Sequence, residues 1–188
     1  PRSTLFPYTT LFRSGRLNAP FTVVSMEDFC KTSVKLTADL SVNIGGYIDR
    51  IRLKNNTLFI DDYKTSNRVH ECRDIPSLFD SADNKGVSKT AYILQSLYYA
   101  SVISKKYPDR CVTPLLLYLP RLRADEIPYI NIKNDKIDIS DFRRVADDFE
   151  PLMIEKLKSI FDPSQPFSAN RQIEKCRYCD FKKICGIY

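Results

Sequence analysis

Two apolar stretches, Gly46–Lys54 and Thr57–Ser66, flank the pair Asn55-Asn56, and each carries an acid among its apolar residues. That pattern predicts a β-hairpin, because Asn tolerates the positive φ that a two-residue turn requires. Upstream, "FTVVSMEDF" (Phe21–Phe29) has strand composition, and a second strand is expected around Val34–Val42. Residues 66–87 are polar and contain Pro76, Asp83-Asn84 and Gly86, which reads as a loop. Ser88–Tyr107 reads as a helix, with Ser88 as its cap and Lys105-Lys106 at its C-terminal end before Pro108. Val112–Leu119 is a short apolar run suited to a buried strand. Tyr129–Ser140 alternates about Asn134-Asp135, a second hairpin signal, and Asp141–Phe161 is amphipathic, with Pro151 as a candidate break or kink. Asp162–Asn170 reads as a linker. Strands, helix, strand and helix in this order make an α/β domain.

The hairpin poses a chemical problem. With Asn55-Asn56 as the turn, Arg50 falls opposite Asp61, Asp49 opposite Asp62, and Tyr47 opposite Lys64. Side chains alternate along a strand, so Asp49, Asp62 and Lys64 share one face while Arg50 and Asp61 form a cross-strand ion pair on the other. Opposed residues have Cβ atoms ~5 Å apart, and like charges there repel. Two ionised carboxylates so placed need a cation between them or a proton on one. The alternative is a slipped register that leaves both acids solvated.

Composition narrows the setting. The chain has 188 residues, 43% hydrophobic, enough for one domain with a real core. No apolar run approaches membrane-spanning length. The net charge of +6 biases the chain toward acidic partners such as nucleic acid. The first fourteen residues, "PRSTLFPYTTLFRS", lack helix or strand period and resemble a translated sequencing-adapter read-through. On that reading the chain is a C-terminal fragment. With no secretion signal, reduced thiols and a cytoplasmic setting are expected. Three of the six cysteines cluster as Cys176-x2-Cys179-x5-Cys185. Thiolates at such spacing bind zinc or an iron–sulfur cluster, and spacing alone does not choose between them.

Gly46-Tyr47-Ile48-Asp49-Arg50 followed by Asp62-Tyr63-Lys64-Thr65 resembles the core motif of PD-(D/E)XK nucleases, in particular the RecB-type branch. Gln95 and Tyr99, four apart on one helix face, resemble that branch's Q-x-x-x-Y motif. The cysteine cluster resembles the iron–sulfur tail of AddB-type members. The resemblance implies a restriction-endonuclease-like core over 15–165, a central mixed sheet flanked by helices, and a cysteine-rich tail over 166–188. It implies that Asp49 and Asp62 hold Mg²⁺ or Mn²⁺ with the Tyr63 carbonyl, and that Lys64 activates or orients the attacking water. Gln95 and Tyr99 then flank the site and contact DNA. A [4Fe–4S] cluster on Cys176, Cys179 and Cys185 would staple the tail. Its fourth ligand, and a metal-site histidine upstream of the hairpin, would belong to a missing N-terminal region. Cys30 is the nearest candidate for that ligand by order, and His70 follows the lysine motif and reads as a loop residue. Glu27 is left outside the site as a solvated strand residue. The implied activity is that of a DNA exonuclease acting on a single strand at a duplex end. Arg50, Arg68, Lys89 and Arg171 are candidates for its path. The implied partner is a helicase region or subunit in bacterial double-strand-break repair. The alternatives are a stand-alone CRISPR-associated exonuclease and a non-catalytic DNA-binding relative.

Overall fold

The computed structural model describes residues 20–79, 87–123, 126–166, 176 and 179–186. The 1–14 segment, the Lys89 side chain and Arg171 lie outside this set. A four-stranded sheet has the order β1-β2-β3-β4, with β1 Thr22–Lys35, β2 Ser41–Lys54, β3 Thr57–Lys64 and β4 Cys111–Tyr118. The first three strands are antiparallel neighbours, and β4 runs parallel to β3. That parallel step requires a crossover, which helix α1, Val87–Lys106, supplies. A two-stranded ribbon follows, β5 Asn131–Ile132 and β6 Ile137–Asp138, and then helix α2, Arg143–Phe161. The α/β class and the mixed central sheet are as expected.

The strand boundaries upstream are not. The stretch read as two strands, Phe21–Phe29 and Val34–Val42, is one long strand, a tight turn and the start of the next. The chain reverses at Thr37, whose Oγ1 accepts the N–H of Asp39 at 3.3 Å and of Leu40 at 3.1 Å. Alternation in β1 was hidden by a register shift between Val23 and Ser25 and by a left-handed φ of 49° at Glu27. Helix α1 starts at Val87, so Ser88 lies within the helix and not at its cap. Helix α2 runs through Pro151 unbroken. Pro151 and Asp147, whose carbonyl loses its partner, are both exposed, and water can take the vacant acceptor.

The core lies between the sheet and the helices. Ile93, Leu97, Ala100 and Ile103 of α1 join Ile51, Leu58, Ile60, Val112 and Leu116 in one buried cluster. By strand alternation, Phe59, Leu115 and Leu117 face the other way, and Leu122, Ile127 and Tyr129 pack against them. Asp62 and Lys64 therefore continue the helix-facing row of β3, and Asp61 and Tyr63 the opposite row.

Candidate active site

The turn takes the predicted form. Asn55 and Asn56 have φ of 47° and 62°, and the ladder runs from Lys54↔Thr57 to Arg50↔Asp61. Beyond Arg50 the backbone pairing stops and a side chain replaces it. The Tyr63 N–H donates to Asp49 Oδ2 at 2.8 Å. Asp49 is thus pinned across the strand gap, beside the Asp62-Tyr63 peptide. The expected pairing of Tyr47 with Lys64 does not form. Tyr47 pairs with Phe29 of β1, meets its ring edge-on at 5.2 Å, and is 69% exposed. From Asp49 back to Ser41, β2 continues against β1 and no longer against β3.

Asp62 is buried, and Lys64 forms an ion pair with its carboxylate. Burial pushes the Asp62 carboxyl above its ordinary 3.8, the hydrogen bond and charge of Lys64 pull it back, and the charge of Asp49 adds to the rise. The ladder stops one residue short of the expected Asp49–Asp62 pair, yet the charge of Asp49 still reaches the Asp62 carboxyl. The Lys64 ammonium also lies 4.2 Å from the centroid of the Tyr92 ring on α1. Tyr92 escaped the sequence reading, although it lies three residues before Gln95 on the same helix face.

Gln95 and Tyr99 act as a pair. Gln95 Nε2 donates to Tyr99 Oη at 3.1 Å, with Gln95 exposed and Tyr99 buried. Tyr99 packs on β2 because Gly46 has no side chain: a Cβ there would meet Tyr99 Cε1 and Oη at 2.9 Å. Helix α1 therefore spans the site, from Lys64 at Tyr92 to β2 at Tyr99.

On the opposite face the expected cross-strand ion pair of Arg50 and Asp61 forms, and it is buried. Asp61 is fully buried and bonded by two arginines, Arg50 Nε at 2.8 Å and Arg52 Nε at 2.8 Å. Arg52 is also fully buried, its guanidinium 4.3 Å from the Phe59 ring and 5.2 Å from Phe21. The alternation of Arg50 and Arg52 opposite Asp61 carried this signal in the sequence.

Glu27 is exposed, between Met26 and Asp28, which pair with Arg50 and Ile48. That register puts it on the strand beside Asp49. Arg68 is exposed. His70 lies in the loop after β3, as expected, but is not isolated. Its N–H donates to Tyr118 Oη at 3.0 Å, and its ring meets Tyr92 edge-on at 5.0 Å.

Among the described residues no disulfide joins any of the cysteines. Cys30 is buried on β1 opposite Gly46, and burial raises its thiol above 9.0. Cys176 and Cys179 are joined through a backbone hydrogen bond of 3.1 Å, and further turns lead to Cys185. Among the described residues, no three His, Cys, Asp or Glu side chains gather into a metal-binding group. Two carboxylates with a neighbouring backbone carbonyl remain as oxygen donors, the type that suits a hard divalent cation.

The family model described as PD-(D/E)XK nuclease superfamily matches residues 2–186. No curated protein and no solved structure matches the chain.

Proposed function

The chain belongs to the PD-(D/E)XK nuclease superfamily, and on that premise we propose that it is a metal-dependent deoxyribonuclease whose centre is Asp49, Asp62 and Lys64. The observation that carries this reading is the hydrogen bond from the Tyr63 N–H to Asp49. It sets one carboxylate against the peptide that follows the other, with Lys64 paired to Asp62. Mg²⁺ or Mn²⁺ held by Asp49, Asp62 and the Tyr63 carbonyl would polarise a phosphoryl oxygen and lower the pKa of a bound water.

The protein's own residues set the geometry of the attack. The Tyr63 N–H fixes one Asp49 oxygen and leaves the other for ligation. Lys64 carries positive charge to the edge of the site, where it orients water and offsets charge growing on the phosphate. Tyr99 anchors Gln95, whose exposed amide faces the DNA backbone.

We read the substrate as a single strand at a DNA end, processed in a helicase–nuclease that repairs double-strand breaks. A [4Fe–4S] cluster on Cys176, Cys179 and Cys185, with a fourth ligand from elsewhere, would staple the tail over this core. The test is Asp62→Ala against the unaltered chain, with Mg²⁺-dependent cleavage and DNA binding measured side by side. Loss of cleavage with binding retained supports the assignment, and unchanged cleavage removes it. Iron and sulfide analysis of anaerobically purified protein tests the cluster, and zinc in their place overturns it.

A further inference from the structure

A cleft of about 810 Å³ opens beside the end of β4, and none of the roles above uses it. His70, Leu116, Tyr118, Arg121, Tyr129 and Lys133 line it. Its position follows from strand register: Leu116 pairs with Asp62, and Tyr118 with Lys64. A second link runs through rings, from the Lys64 ammonium over Tyr92 to the edge of Tyr92 against His70. Tyr118 and His70 thus form a partition between the cleft and the proposed metal site, and the hydrogen bond from the His70 backbone N–H to Tyr118 Oη holds it in place.

The charges within the cleft are unevenly matched. Lys133 is paired with Glu71 at 2.6 Å, and Arg123 with Glu126 at 3.7 Å. Arg121 has no carboxylate partner among the described residues. Its Nε donates to Asn67 Oδ1 at 3.1 Å, and the residue is exposed. A neutral amide thus orients the guanidinium without cancelling its charge. At the partition, His70 Nδ1 is buried and has no hydrogen-bond partner among the described residues. Among the described residues the cleft therefore combines aromatic surface, a cation without a carboxylate partner and a buried polar atom without a hydrogen bond. Its volume lies in the range of small-molecule sites.

We infer that this cleft holds the nucleotide next to the scissile phosphate, its base against the His70 and Tyr129 rings and its phosphate on Arg121. The inference rests on the nuclease reading and gives that reading a subsite. Stacking on aromatic rings tolerates any base, because every base has a π-face, so the subsite binds a strand without reading its sequence.

The test uses the full chain and a short fluorescent oligothymidylate. Affinity is measured by anisotropy in EDTA, and cleavage separately in Mg²⁺. Arg121→Ala and Tyr129→Ala are each expected to weaken binding roughly tenfold, and Tyr129→Phe to keep it. Arg121 is exposed, so its removal leaves the core intact, and Tyr129→Phe controls for the packing of the ring. An oligonucleotide carrying 5-iodouracil is expected to crosslink to His70 or Tyr129. Affinities of both alanine variants within twofold of the parent, with crosslinks elsewhere, overturn the cleft, and persisting Mg²⁺-dependent cleavage then keeps the nuclease reading. A parent chain that neither binds nor cleaves overturns both.

Discussion

The Tyr63 N–H donates to the Asp49 carboxylate at 2.8 Å, at the point where the β2–β3 ladder ends. Asp49 is thereby both a proposed metal ligand and a ladder acceptor. The two roles separate by mutation. Asp49→Asn keeps an acceptor oxygen and is expected to fold with near-parent stability while losing cleavage. Asp49→Ala leaves the N–H unpaired and is expected to lose about 1–3 kcal/mol as well. Urea denaturation without metal checks the difference.

Asp61 neutralises two buried guanidiniums, so its removal is expected to be far more damaging than that of either proposed metal ligand. Breaking a buried pair from one side costs about 3–5 kcal/mol. Asp61→Ala should shift the urea midpoint strongly downward or leave the chain insoluble. A midpoint like that of the parent would mean that the arginines find other partners.

Asp62 gives a pH signature. Its native carboxyl sits above the ordinary 3.8, chiefly through burial. The folded state therefore holds this proton more tightly than the unfolded chain does. Metal-free stability from this group is fully present below 3.8 and falls as pH rises through the native value. Protons compete with the metal over the same window, so the acid limb of cleavage should lie above that of an ordinary aspartate. Lys64 lowers the Asp62 value, so Lys64→Met should move the midpoint for metal binding to still higher pH. Calorimetric titration with Mn²⁺ across the acid range measures it.

Two adjacent glycines should respond differently to alanine. A Cβ at Gly45 meets the Cys30 carbonyl oxygen at 2.3 Å and Lys31 Cα at 2.8 Å, both backbone atoms. Gly45→Ala must push β1 from β2, and is expected to destabilise the fold. At Gly46 the obstacle is the Tyr99 ring, a side chain that can shift. Gly46→Ala should cost less stability but release Gln95, and so reduce DNA cleavage more than thermal stability. Melting temperature and cleavage rate, measured on both variants, separate the two.

The hairpin was legible because its determinants are local. Asn55-Asn56 set the turn, and the turn set the register as far as Arg50 and Asp61. The end of the β2–β3 ladder at Arg50 was not legible, since the rest of β2 pairs with β1 on its other side. Strand β1 itself was misdivided, because a shifted register and a left-handed residue spoil a two-residue period. Arg52 alternates with Arg50 on the face that carries Asp61, but its full burial under the rings of Phe21 and Phe59 rests on contacts that only folding makes. Tyr92 and His70 join the site through contacts between elements distant in sequence, for which no spacing rule exists.

Strand β1 is fourteen residues long and, among the described residues, pairs with β2 alone. Its outer border carries amide donors and acceptors in a row, and Val23, Val24, Met26 and Phe29 are exposed along it. Such a border templates the addition of another extended chain, and only charged gatekeepers discourage it. Lys31 and Lys35 guard the far end, and the stretch from Val23 to Met26 has none. Val24→Lys is therefore expected to blunt this fringe and reduce self-association, at a border two strands away from Asp62 and Lys64.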